Sequence, residues 1–129
     1  MKIFQQRITV LPGDIDDLNH VNNVVYLQWV QDIATAHWRQ IASEDLQKKY
    51  SWVVLKHEIE YFNPTYLNDV LIVRTWVGIS EGVRSERHVE FYNEESNKLL
   101  VKAKTTWCLL LSDSMRPKRI EADILEIFT

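Results

Sequence analysis

Hydrophobic and polar positions follow two different periods along the chain, and the changes of period locate its elements. In residues 2–10 the β-branched Ile3, Ile8 and Val10 predict a strand that ends at Pro12-Gly13. From 22 to 42 the period lengthens. Leu27, Val30, Ala34, Trp38 and Ile41 recur at helical spacing, with Gln28, Gln31 and Arg39 on the rest of the surface, and predict one long helix. "SEDLQKKY" adds a short helical turn with Ser43 as its N-cap. Beyond it the period is two. In 52–62 Val53, Leu55, His57, Ile59 and Tyr61 share one predicted face, and Lys56, Glu58 and Glu60 the other.

"NPTYLND" reads as a turn into a strand over 69–79. There Val70, Ile72 and Trp76 alternate with Leu71, Val73 and Val77, as in a central strand covered on both faces. Gly82 marks a hairpin into 83–92, and "NEESNK" another into 98–111, where Val101, Ala103, Thr105, Trp107 and Leu109 face one way. Residues 119–128 form a tail of either strand or helix. Strands joined by short turns pair antiparallel. One helix covers one face of such a sheet, so a second subunit is expected over the remaining apolar face or open edge. The expected class is α+β: five or six antiparallel strands wrapped around one long central helix, in a dimer.

The 129 residues suit a single domain over 1–129, with 46% apolar and 26% charged residues. The net charge of −3 argues against general nucleic-acid binding. Cys108, the one cysteine, permits no internal disulfide or zinc cluster and fits a reducing compartment. "MKIFQQRITV" lacks the apolar core of a signal peptide, and no apolar run reaches the roughly 20 residues of a membrane span. The expected location is the cytoplasm, with no membrane partner, no cofactor and no metal.

The candidate chemistry lies in "GDIDDLNHVNNVVYLQWV", residues 13–30. A helix N-terminus presents unpaired N–H groups and the positive end of a dipole, which can hold an oxyanion. Carboxylates just upstream sit close to that end, so one loop can supply a base or nucleophile and an electrophilic cradle. That pairing suits hydrolysis of a thioester, whose thiolate leaves readily because alkyl thiols have a pKa near roughly 8.5. Capping is the competing explanation, since Asp and Asn are ordinary N-cap residues. Asp14, Asp16, Asp17, Asn19, His20, Asn22 and Asn23 are more polar groups than one cap can use.

"DIDDLNHVNNVVYLQWV" resembles the signature of the hotdog-fold thioesterases: Asp-x-Asp, three residues, His-Val-Asn-Asn, two residues, an aromatic. It is similar to the acyl-ACP thioesterases and to the 4-hydroxybenzoyl-CoA thioesterase-like group. "EIEYFNPTYLNDVLIV" and "RPKRIEADI" extend the likeness more weakly. The resemblance implies a hotdog fold, a homodimer or homotetramer, and hydrolysis of an acyl-CoA or acyl carrier protein thioester. It assigns Asp16 as the catalytic carboxylate, attacking the carbonyl or activating a water. It makes the backbone N–H of Asn23 the oxyanion donor, gives His20 an orienting or charge-stabilising role, and leaves Asn22 to shape the turn. The chain departs from its relatives at Asn19, where many bacterial members carry Gly, and at Leu18, where plant members carry Asn.

Other residues have weaker claims. Asp14 is expected to accept loop N–H groups and Asp17 to be exposed. Asp32 and Gln31 suit a solvated helix face. Tyr26 and Trp29 suit the core or the acyl pocket, because such pockets are mainly apolar. His57 alternates with apolar residues and suits a core or pocket histidine; Glu58 is a candidate substrate contact from the next position. Arg84, Arg87, Arg116, Lys118 and Arg119 are candidates for phosphates of coenzyme A or an acidic carrier, against the alternative of solvated charge. Trp52, Trp76 and Trp107 suit the sheet-face core, and Cys108 a buried strand position. Three further hypotheses stand beside the hydrolase. One is a non-catalytic acyl-CoA-binding module, which has no need of Asp16. Another is a dehydratase, for which neither His20 nor His57 has the right setting. The third is a purely structural dimer.

Overall fold

The computed structural model describes residues 2–129. Its elements are β1 (Phe4–Thr9), α1 (Asn23–Ile41), α2 (Glu44–Lys49), β2 (Tyr50–Tyr61), β3 (Val70–Glu81), β4 (Arg84–Asn93), β5 (Leu99–Leu111) and α3 (Ala122–Leu125). Short 3-10 turns lie at Pro12–Asp14 and Glu126–Phe128. The tail is therefore helical. The five strands form one sheet in the order β1-β3-β4-β5-β2, and every pairing is antiparallel.

Both ends of α1 follow from local sequence. Asn22 caps the start, its Oδ1 accepting the Val24 N–H at 3.0 Å, and Ala42 closes the end. Ser43 caps α2 by accepting the Leu46 N–H at 3.2 Å. The stripe that α1 buries is Tyr26, Val30, Ile33, Ala34 and His37. It is rotated from the expected one, so Leu27, Trp38 and Ile41 are only half-buried.

This 19-residue helix lies against one face of the sheet. Tyr26, Val30 and Ile33 meet Leu71, Val73, Val89, Phe91 and Val101 in the main core. Fully burying a side chain of that size contributes about 1.5–3 kcal/mol. A second cluster joins Tyr50, Leu109, Ile120, Ile124 and Phe128 at the end of the molecule where α1 terminates, with Trp38 and Trp52 packed on it.

Two strand expectations are corrected. A bulge between Val54 and Lys56 interrupts β2. An extra residue reverses the alternation, so Val53 and Leu55 do not share a face with His57, Ile59 and Tyr61. Trp52 instead turns toward α1, its ring 5.7 Å from that of Trp38. β3 also lacks the expected second cover within the chain. Its other face carries Ile72, Arg74 and Trp76, all partly exposed, and Trp76 stacks on His88 at 5.5 Å rather than entering the core. Cys108 is buried, as expected.

Candidate active site

Residues 14–23 fold back on themselves around Asp16. The Asp16 N–H donates to the His20 carbonyl at 2.8 Å, and the Asn19 N–H donates to the Asp16 carbonyl at 3.1 Å. Asp16 Oδ1 accepts the N–H groups of Leu18 at 2.9 Å and His20 at 3.3 Å. The tight return needs a left-handed residue, and Asn19 supplies it at φ 62°, a region Asn enters more readily than most side chains. Asp14 performs the expected structural task, accepting the Leu11 N–H at 2.9 Å, and Asp17 is exposed.

The loop is pinned to the turn between β2 and β3. The Val21 N–H donates to the Thr65 carbonyl at 2.9 Å, and His20 pairs with Tyr66, their rings edge-on at 5.2 Å. One turn into α1, the Tyr26 hydroxyl meets that of Thr65 at 2.5 Å. Burial pushes the Tyr26 phenol up to about 12, partly offset by the Thr65 hydrogen bond.

The first turn of α1 is only partly satisfied. Asn22 Oδ1 takes the Val24 N–H, and the Asn22 carbonyl takes the Val25 N–H at 2.9 Å. Among the described residues the Asn23 N–H has no acceptor. No acidic side chain occupies that turn, so the positive end of the helix dipole is not neutralised from within it. Asp16, His20, Asn22, Asn23 and Tyr26 are thus gathered at one end of α1.

The remaining sequence candidates lie elsewhere. His57 sits on β2, with Nδ1 2.8 Å from the Thr105 hydroxyl, and burial lowers its pKa. It stands four residues before Tyr61, whose ring meets Tyr26 at 5.8 Å, so it is roughly 13 Å farther along the strand. Glu58 points to the other face, between Lys104 at 3.3 Å and Lys56 at 3.4 Å, and Lys104 followed by Lys56 lowers its pKa. Arg84 begins β4 opposite Cys108, and Arg116 lies in the loop beyond β5. β3 starts beside the loop, where the Val10 N–H donates to the Asp69 carbonyl, and runs 12 residues, roughly 36 Å, to the end that holds Arg84. Within one chain neither arginine reaches Asp16.

Arg87 corrects an expectation outright, because it is buried rather than free to meet a phosphate. Its parity with Ser85, Val89 and Phe91 turns it inward. The sequence reading missed Thr65 and His37. Thr65 carries no local signal, whereas His37 could have been found from the Tyr26, Val30, Ile33 stripe. Among the described residues no three His, Cys, Asp or Glu side chains converge as metal ligands would.

Residues 1–128 match the family model of the acyl-ACP thioesterase N-terminal domain. The chain belongs to this thioesterase family. No curated protein matches its sequence. Solved structures place the fold among the hotdog-fold thioesterases. The 1,4-dihydroxy-2-naphthoyl-CoA thioesterase Slr0204 from Synechocystis is 16% identical, with a TM-score of 0.84 over 98% of this chain and 96% of that one. The probable thioesterase YbaW from Escherichia coli is 21% identical, with a TM-score of 0.82 over 95% of this chain and 94% of that one. The 12:0-ACP thioesterase from Umbellularia californica is 14% identical, with a TM-score of 0.84 over 98% of this chain and 51% of that one. The chain spans about half the length of that plant enzyme. No helix among the described residues is long and apolar enough to cross a membrane.

Proposed function

We propose that this family member hydrolyses acyl thioesters of coenzyme A or acyl carrier protein at the loop 14–23, releasing a free carboxylic acid. One observation carries the reading. The loop fixes one carboxylate oxygen of Asp16 through two backbone N–H groups, and the neighbouring helix start leaves the Asn23 N–H without an acceptor. A thioester carbonyl between them would have a carboxylate on one side and a hydrogen-bond donor at the end of a dipole on the other. In this reading Asp16 attacks the carbonyl or activates a water, the thiolate leaves, and the Asn23 N–H stabilises the oxyanion. His20 orients the loop, and Tyr26 borders the acyl group.

The proposed working unit is a homodimer or a pair of dimers, with the sheet of each subunit curved around α1, in the reducing cytoplasm. Support comes from the apolar side chains left exposed around the loop, Leu18, Val24, Phe62, Tyr66 and Leu67, and from the open edge strand β2. Light scattering after gel filtration tests the assembly, and a monomer at micromolar concentration would overturn it.

Thiol release from acyl-CoA and acyl carrier protein thioesters of graded chain length tests the activity. Asp16→Asn keeps an oxygen to accept the Leu18 and His20 N–H groups but removes the carboxylate. A loss of at least about 100-fold with the fold intact is expected of a base or nucleophile. Unchanged turnover in Asp16→Asn would remove Asp16 from the chemistry. No turnover of any thioester by the native chain would favour the binding module.

A further inference from the structure

The carboxyl-terminal half of α1 borders a cavity of about 380 Å³ that the proposed chemistry does not use. Its volume is within the range of small-molecule pockets. Trp38, Trp52, Val77 and Phe128 give it apolar walls, Ser85, Arg87 and Trp107 give it a polar floor, and Arg39 adds a second, exposed cation to the lining. It lies far from the loop. Ala34 and Trp38 stand 11 and 15 residues beyond Asn23, roughly 16 to 23 Å along the helix.

Two groups on that floor lack the partners their burial calls for. Arg87 is 5% exposed, yet among the described residues no carboxylate contacts it and no Asp or Glu lines the cavity; its charge meets only the face of the Phe128 ring, at 5.6 Å. Nη1 donates to His37 Nδ1 at 2.9 Å and to the Thr75 hydroxyl at 3.1 Å, both neutral acceptors. Burial lowers Arg87 only to about 10, so it stays a cation, and burial with the nearby Arg87 charge holds His37 down at about 4, so it stays neutral. Nη2 and Nε of Arg87 make no hydrogen bond among the described residues. The second group is the Trp107 indole Nε1–H, a buried donor with no acceptor among the described residues. A buried cation without a counter-charge and a buried donor without an acceptor are both costly in a folded chain. One ligand relieves both.

We infer that this cavity binds a small monocarboxylic acid with an apolar body, its carboxylate on the Arg87 guanidinium and the Trp107 Nε1–H, its body against Trp38, Trp52 and Phe128. A guanidinium fork matches a carboxylate in two parallel hydrogen bonds. Arg87 is the one buried positive charge and balances one negative charge; the other cation of the lining, Arg39, is exposed and screened by water, so a phosphate dianion at the floor would carry an uncompensated charge. The aromatic walls select a hydrocarbon or aryl body over a polar one. The site is separate from the loop and does not require the hydrolase reading, although thioester hydrolysis releases acids of this class.

Calorimetry and tryptophan fluorescence on the native chain test the inference, with octanoate and phenylacetate as probes, octanamide and phenylacetamide as their neutral counterparts, and inorganic phosphate as the competing anion. The acids are expected to bind with Kd below about 1 mM and at least about tenfold more tightly than the amides. Trp107→Phe, which keeps the ring and removes the donor, is expected to weaken the acids several-fold. Arg87→Met is expected to abolish the preference for acid over amide. If Arg87→Met does not fold, the acid-to-amide ratio on the native chain and the Trp107→Phe titration decide the question. Equal binding of acid and amide, absence of acid binding, or tighter binding of phosphate would each overturn the proposal. Asp16→Asn is expected to bind the acids as the native chain does. Loss of acid binding there would move the ligand to the loop, and so overturn this site while leaving the hydrolase reading to its own test.

Discussion

The hydroxyls of Tyr26 and Thr65 lie 2.5 Å apart in the buried interior, and they tie the first turn of α1 to the turn between β2 and β3. Each is the other's partner away from water. Tyr26→Phe keeps the ring contacts with Trp29 and Phe91 but leaves the Thr65 hydroxyl without that partner. The expected cost is about 1–3 kcal/mol, read as a lower urea midpoint. Tyr26→Phe with Thr65→Val should recover part of it, because both polar groups are then gone.

His37 makes stability depend on pH in a defined window. Its folded pKa of about 4 lies below the unfolded 6.5, so folding favours the neutral ring. The stabilisation is complete above pH 6.5 and is lost as pH falls toward 4. The expected loss is on the order of 3 kcal/mol across that window, measured by urea unfolding at several pH values. His37→Gln should flatten the slope between pH 6.5 and 4. An unchanged slope would show that other groups set it.

The cap of α1 has its own contribution. Asn22→Ala removes the oxygen that accepts the Val24 N–H. The expected loss is about 1 kcal/mol, seen in thermal unfolding. Under the proposed mechanism the same change should also lower turnover, because the Asn23 donor sits on the turn that Asn22 sets.

Gly78 is held small by a neighbour. A Cβ there would come within 2.8 Å of His88 Nε2. Gly78→Ala should therefore displace the His88 ring from its stack on Trp76. A change in Trp emission with little loss of stability is expected, because the clash is with the end of a side chain on a partly exposed face.

What the sequence disclosed divides by distance along the chain. Caps act within three residues, so Ser43 marks the start of α2 directly, while the apolar period over 22–42 places α1 to within a residue of its ends. The loop around Asp16 is also local, since its hydrogen bonds join residues two to four apart, and its residues were legible together. The Tyr26–Thr65 contact spans 39 residues and was not. The β2 bulge was hidden for another reason. Val53, Leu55, His57, Ile59 and Tyr61 make an unbroken alternation in sequence, and only pairing with β5 forces the extra residue. Arg87 was misplaced because its charge outweighed its parity, although Ser85, Val89 and Phe91 already marked that face as interior.

The loop's geometry resides largely in its peptide groups. Leu18 gives Asp16 only its N–H, while its side chain is 74% exposed. Any residue other than proline offers the same donor. Position 18 can therefore change in identity while the carboxylate keeps its place. A library randomised at that one codon should remain folded and vary mainly in what it recognises at its surface.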